Sequence, residues 1–283
     1  MKQIFNYFYI IRPLNVLLSG LTIFLASYIL NETNYYIIFI MSSVVMLLCA
    51  CANIINDLFD INTDQINNPN RPIIMSNNIN FNYSLIYILI FLLLLAAILS
   101  SIYFDFYTNI FLFFIVLLII IYTPILKRIP LVGNIVISFI IASVFIFPLL
   151  VLKNNGNSLF YPIVLTFLLT LIREIIKDMA DINGDLQSNI NTFPVLFGIH
   201  YSKYLVSLLT ILLIVFSIYP YYINLYNARY LLVLVLYVQI PLVVCIFYLW
   251  KYPNFQSCVI LTITTKYITI GGVVTILSTK LLS

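Results

Sequence analysis

The chain has 283 residues, of which 63% are hydrophobic and 8% charged, with a formal net charge of +4. A soluble domain carries about 25% charged residues, so this composition excludes an ordinary soluble enzyme and indicates an integral membrane protein. Membrane lipids are its surroundings, and nucleic acid is not an expected partner.

Runs of about 20 apolar residues suffice to cross a hydrocarbon core of roughly 30 Å. In chain order they predict nine spans, near 14–30, 35–55, 83–102, 106–122, 131–152, 159–179, 203–222, 229–250 and 255–279. The opening "MKQIFNYFYIIRPLNVLL" has no A-x-A-like cleavage site and reads as a short cytoplasmic lead into the first span. Breaks fall at Asn31 to Asn34, 56–82, Asp105, "TPILKRIP" at 123–130, "KNNGNS" at 153–158, 180–200, "YNAR" at 226–229 and "KYPN" at 251–254. With a cytoplasmic N-terminus, that side receives Lys2, Arg12, Arg71, Lys127, Arg128, Arg173, Lys177, Lys203 and Lys251, against Lys153, Arg229 and Lys280 outside. This bias follows the positive-inside rule. Lys266 falls inside the ninth span. Cys49, Cys51, Cys245 and Cys258 lie in or beside apolar runs and read as small buried hydrophobes rather than disulfide or metal partners.

The nine acidic residues are concentrated. Asp57, Asp60 and Asp64 end the second span, and Asp178, Asp181 and Asp185 end the sixth; only Glu32, Asp105 and Glu174 lie elsewhere. Four crossings separate the clusters, so both face the same cytoplasmic side, as two parallel repeats would place them. At about 100° per residue, Asn53, Asp57, Asp60 and Asp64 share a helix sector of roughly 60°, and Glu174, Asp178, Asp181 and Asp185 share a similar one. Like charges at this spacing repel unless cations neutralise them. Hard oxygen donors without nearby histidine or thiolate select Mg²⁺, which binds few carboxylates and completes its shell with water and substrate phosphate. Arg71, Lys127, Arg128 and Lys177 are the bases placed to hold the remaining oxygens of a diphosphate.

Asn56-Asp57-x-x-Asp60-x-x-x-Asp64, followed by Arg71-Pro72, resembles the first motif of the UbiA-type intramembrane prenyltransferases, and Asp178-x-x-Asp181-x-x-x-Asp185 resembles the second. Arg12-Pro13-x-Asn15, "YTPILKRIPLVGN" at 122–134 and "TFPVLFG" at 192–198 extend the resemblance over essentially the whole chain. It implies a single all-α domain over residues 1–283, with nine transmembrane helices around a central cavity, arranged as two four-helix repeats plus a ninth helix. It also implies prenyl transfer from an allylic diphosphate to a lipid or aromatic acceptor. Asn53, Asp57, Asp60, Asp64, Asp178, Asp181 and Asp185 would then hold Mg²⁺ at a cytoplasmic cap. Asn15, Asn53, Asn56, Arg71, Tyr122, Lys127, Arg128, Arg173 and Lys177 would contact substrates.

"REIIKDMADINGDLQSNINTFPVLFG" at 173–198 looks most like the archaeal-type members that transfer geranylgeranyl from its diphosphate to geranylgeranylglyceryl phosphate, and Arg173 and Lys177 suit an acceptor bearing its own phosphate. Homogentisate and chlorophyll-type members share the K-D-x-x-D-x-x-G-D pattern, so an aromatic acceptor such as 4-hydroxybenzoate or homogentisate stays open. "RPIIMSNN" at 71–78 departs from the Ile-Pro-Ser-Gly that usually follows Arg-Pro in the ether-lipid enzymes. The non-enzyme alternative is a cation transporter, whose carboxylates would sit nearer mid-span. His200 and Trp250 read as interfacial residues without a chemical role.

Overall fold

The computed structural model describes residues 9–67, 69, 74, 83–154 and 157–279. All regular elements among them are helical, as a backbone crossing hydrocarbon requires, because a helix satisfies its own N–H and C=O groups. The helices are α1 (Pro13–Ile29), α2 (Tyr35–Phe59), α3 (Ile61–Asn67), α4 (Tyr83–Ser100), α5 (Phe106–Tyr122) and α6 (Val132–Val151). They continue with α7 (Phe160–Gln187), α8 (Phe193–Tyr222), α9 (Ala228–Leu234), α10 (Ile240–Lys251) and α11 (Phe255–Ser278). A π turn at Val235–Gln239 joins α9 to α10.

By length and composition, six stretches among the described residues can cross a membrane: Tyr35–Phe59, Ser84–Tyr103, Val132–Val151, Phe193–Tyr222, Ala228–Lys251 and Phe255–Ser278. Pro13–Ile29 and Phe106–Tyr122 are shorter apolar helices. α7 is 28 residues long and bears the second acidic cluster in its C-terminal half.

Several polar breaks in the sequence turn out to be helix caps. Asn34 accepts from the N–H groups of Tyr36 and Ile37 at 3.1 and 3.4 Å, and Asp105 from that of Thr108 at 3.0 Å. Asn227 accepts from Tyr230 at 3.0 Å and Asn254 from Ser257 at 2.9 Å. Each side-chain oxygen satisfies a first-turn donor that has no partner within its own helix.

Contacts divide the chain into two compact units, Met1–Leu126 with Val144–Gly156, and Lys127–Ser143 with Asn157–Ser283. In the first unit, α2 packs against both α1 and α4. Ser42 Oγ donates to the Gly20 carbonyl at 3.2 Å, where the glycine lets α1 and α2 approach closely. In the second unit, α7 packs against α8 and α11. Ile172, Ile175, Ile176 and Met179 on α7 join Val206, Leu213, Leu261 and Ile268 in its core. At about 100° per residue that apolar stripe lies well round the helix from Glu174, Asp178, Asp181 and Asp185. Packing one face therefore turns the carboxylates away from the core. All four cysteines are free, and Cys51, Cys245 and Cys258 are buried, as expected of small hydrophobes.

Two sequence expectations are corrected. The first acidic cluster does not occupy one helix face: α2 ends at Phe59, Asp60 is its C-cap with φ −90° and ψ 6°, and Asp64 lies on α3. A ψ near zero departs from the helical well, and a residue period cannot report such a departure. The seventh span begins earlier than 203, because α8 starts at Phe193 with Pro194 in its first turn and kinks at Gly198, where φ is 82° and ψ 167°. A Cβ on Gly198 would meet nothing within 4 Å, so the backbone angle rather than space requires glycine there.

Gly271 and Gly272 give the clearest test of the packing. A Cβ on Gly271 would stand 2.5 Å from the Tyr237 carbonyl oxygen in the π turn, whereas one on Gly272 would be 3.9 Å from Leu169 Cδ2. Alanine favours helix by about 1 kcal/mol over glycine, while overpacking against a backbone atom costs about 1–3 kcal/mol. Gly271→Ala should lower the melting temperature in detergent and Gly272→Ala should hold or raise it; equal effects would contradict the close approach of α11 to the turn.

Candidate functional site

The first cluster is built where α1 meets α2. Asp57, Asp60 and Asp64 are only 2%, 4% and 4% exposed, and burying carboxylates is costly unless each gains a compensating partner. Arg12 Nη2 donates to Asp57 Oδ1. Arg12 is the N-cap of α1 and sits in the left-handed region at φ 57°, ψ 68°, a conformation costing a non-glycine residue about 1–2 kcal/mol. One turn before Asp57, Asn53 Nδ2 donates to the Ile11 carbonyl at 2.9 Å. The helix bearing the aspartates thus holds the strained corner in place. Asn15 lies in the first turn of α1, its N–H on the Arg12 carbonyl at 2.9 Å.

On the other side of α2, Asn56 Oδ1 accepts from Thr123 Oγ1 at 3.4 Å. Thr123 follows Tyr122, which closes α5 half-buried, so the start of the basic loop is tied to the first motif. Arg71 and the Arg-Pro segment lie outside the described residues.

The second cluster rides on the unbroken helix α7. Asn134 Nδ2, from the first turn of α6, donates to Asp178 Oδ2 at 2.7 Å. Ser138 Oγ in turn donates to the Asn134 carbonyl at 2.6 Å. Asp181 is half-buried and Asp185 buried. Thr192 Oγ1, at the mouth of α8, donates to Asp185 Oδ2 at 3.3 Å. Asp185 lies beyond the apolar segment 159–179, and burial pushes its carboxyl up to about 6, opposed chiefly by the nearby Lys127 ammonium. Lys127 is half-buried in the turn Leu126–Arg128, whereas Arg128 is exposed.

Arg173 and Lys177 share one buried carboxylate. Glu174 Oε1 lies 3.2 Å from Arg173 Nη1, and its Oε2 lies 3.8 Å from Lys177 Nζ. Arg173 Nε is buried without a hydrogen-bond partner. An unsatisfied buried donor is uncommon and calls for an acceptor.

Among the described residues, no three histidine, cysteine or acidic side chains converge closely enough to form a metal cage. The donors fit Mg²⁺ nonetheless: they are all oxygens, three carboxylates per cluster, and Mg²⁺ draws much of its shell from water and phosphate. Arg12, Thr123, Asn134 and Thr192 are the contacts that sequence reasoning left out of the site. All four stand in segments the sequence singles out: Arg12 in "RPLN", Thr123 and Asn134 in "YTPILKRIPLVGN", and Thr192 in "TFPVLFG".

Comparison with known proteins gives matches of the same kind. A model of the UbiA prenyltransferase family matches residues 15–264. The digeranylgeranylglyceryl phosphate synthase of Methanosphaera stadtmanae is 32% identical over 236 residues, covering 81% of this chain and 83% of the relative. A solved structure concerned with digeranylgeranylglyceryl phosphate synthase in membranes is similar with a TM-score of 0.74 and 25% identity, covering 99% of each chain. A UbiA homologue from Archaeoglobus fulgidus, bound to DMAPP and Mg²⁺, shares the fold with a TM-score of 0.65 at 12% identity, over 94% of this chain and 98% of that one.

The surroundings of Asp185 set a sign. Lys127 and Thr192 both lower its pKa, Lys127 more strongly. Lys127→Gln and Thr192→Val should each move the Asp185 titration upward from about 6, Lys127→Gln further. Difference infrared spectroscopy on aspartate-labelled protein reads the carboxyl band against pH, and a titration unmoved or lowered by Lys127→Gln would contradict the placement.

Proposed function

The chain belongs to the UbiA prenyltransferase family, and from that premise we propose that it transfers geranylgeranyl from its diphosphate to geranylgeranylglyceryl phosphate. It is an intramembrane prenyltransferase. The name of the curated relative supports the ether-lipid acceptor. The observation that carries the choice within this chain is Arg173, whose Nε is buried and unpartnered while Nη1 rests on Glu174. A phosphate on the acceptor supplies the missing oxygen, and guanidinium geometry favours such a ligand.

In this reading the reaction breaks the C1–O bond of the allylic diphosphate, forms a C1–O bond to the acceptor hydroxyl, and releases diphosphate and a proton. Bound Mg²⁺ supplies positive charge to the leaving diphosphate. The Mg²⁺ bound by the relative from Archaeoglobus fulgidus supports this assignment. Asp57, Asp60 and Asp64, and Asp178, Asp181 and Asp185, hold that charge at the cytoplasmic cap. Lys127, Arg128 and Arg71 bind diphosphate oxygens directly, with Lys127 already beside the second cluster. An alcohol is a weak nucleophile, so Arg173 contributes by fixing the acceptor phosphate and presenting its hydroxyl to C1. The prenyl tail lies in an apolar interior formed by nine membrane crossings, which excludes the water that would quench an allylic cation.

Product analysis tests the assignment. The purified protein with Mg²⁺ and geranylgeranyl diphosphate should prefer geranylgeranylglyceryl phosphate over 4-hydroxybenzoate and homogentisate offered at equal concentration. EDTA, Asp57→Ala and Asp181→Ala should each reduce transfer by at least 100-fold (about 2.7 kcal/mol) without loss of folded protein. Arg173→Leu should cost at least tenfold with the phosphate-bearing acceptor. Dominant aromatic product would replace the ether-lipid reading, and full activity in EDTA would overturn the metal assignment.

A further inference from the structure

The two acidic motifs are gripped in parallel ways with different charge. Arg12 and Leu131 are the residues at which the chain turns into α1 and α6, and both are left-handed, with φ 57° and 61°. Each accepts the first helical bond through its carbonyl, Arg12 from Val16 at 3.2 Å and Leu131 from Ile135 at 2.9 Å. From the start of each helix a side chain reaches the leading aspartate of a motif, Arg12 from the corner itself and Asn134 from three residues past the corner at Leu131, the place Asn15 takes in α1. Arg12 does so across 45 positions to Asp57, and Asn134 across 44 positions to Asp178. The backbone corner and the target recur, whereas the gripping group is a guanidinium at the corner itself in one unit and a neutral amide within the first helical turn in the other.

That difference has a consequence for any divalent cation. An amide donating to a carboxylate orients it and leaves its negative charge in place. A guanidinium in contact neutralises it and repels an arriving cation. The cations around the second motif act from a distance on its aspartates: Lys177 Nζ and Arg173 Nη1 lie on Glu174 at 3.8 and 3.2 Å, Lys177 is felt at Asp178 and Asp185, and Lys127 at Asp185. None of these makes the contact on Asp178 that Arg12 makes on Asp57.

We propose that Arg12 is a removable counter-charge on Asp57, so that the second motif, with Asn134 on Asp178, takes divalent cation more tightly than the first. Loading is then ordered, and the first cluster gains its full metal affinity only when Arg12 is drawn away, for which the negative charge of a diphosphate is the natural agent. Arg12 acts on the metal through Asp57 and is a positioning residue. The left-handed backbone at Arg12, held by Asn53 on the Ile11 carbonyl at 2.9 Å, fixes the place from which the guanidinium reaches and to which it returns.

This inference rests on the reading of the two motifs as metal sites, and the test separates the two. Mn²⁺ alone is titrated into the full chain in lipid nanodiscs and followed by the loss of the free-ion electron paramagnetic resonance signal. Wild type should show two classes of site, and Asp178→Ala/Asp181→Ala should remove the tighter one. In that background, Arg12→Gln should tighten the remaining site about tenfold, while Arg12→Lys, which keeps the charge, should leave it within about twofold. Asn134→Lys in an Asp57→Ala/Asp60→Ala background should weaken the second site by a similar factor. Loss of fold lowers affinity, so a gain on Arg12→Gln is not a structural artefact. Unchanged or weaker binding on Arg12→Gln, or loss of the weaker class with Asp178→Ala/Asp181→Ala, overturns the proposal alone. Absence of Mn²⁺ binding at both motifs overturns the metal reading together with it.

Discussion

Buried carboxylates are the constraint on which the rest of this molecule depends. In a chain with 8% charged residues, Asp57, Asp60, Asp64 and Asp185 are held at 4% exposure or less. A carboxylate removed from water must be paired, hydrogen-bonded or protonated. The protein meets that demand with groups from other segments: Arg12 from the start of α1, Asn134 from α6, and Thr192 from the mouth of α8. Each of these contacts ties a helix end to a motif.

Packing and charge are divided between the faces of single helices. α7 gives Ile172, Ile175, Ile176 and Met179 to the core of its unit and turns Glu174, Asp178, Asp181 and Asp185 elsewhere. Because lipid tails are as apolar as leucine, helix association within the membrane relies on close fit rather than on exclusion of water. Gly20 and Gly271 mark that fit, the first beneath Met46 and Ser42 and the second against the Tyr237 carbonyl. A rigid apolar face on α7 fixes the azimuth of its carboxylates, and orientation is the contribution a protein makes to a reaction whose bond breaking is driven by charge on a leaving diphosphate.

Composition and residue period made much of this legible. Each expected span falls on helix because a long apolar run has no other stable form in hydrocarbon, and polar punctuation such as Asn34, Asp105, Asn227 and Asn254 marks true caps. The second motif reads correctly as one helix face because α7 is unbroken. The first does not, because the chain leaves the helical well at Asp60, and a residue period carries no information on a single ψ. Asn134 and Thr192 escaped because their partners are 44 and 7 positions away and neither residue type signals a site by itself. Arg12 was visible as part of an Arg-Pro motif, but its grip on Asp57 depends on a left-handed corner that only coordinates reveal.

The central claim is that each acidic motif holds divalent cation for the prenyl diphosphate substrate. Crystals of the full chain grown with Mn²⁺ and a non-reactive geranylgeranyl thiodiphosphate would test it by anomalous scattering. The account predicts manganese peaks against the carboxylates of Asp57, Asp60 or Asp64 and of Asp178, Asp181 or Asp185. Peaks at a single motif, or manganese bound away from both while diphosphate is held by lysine and arginine alone, would contradict it.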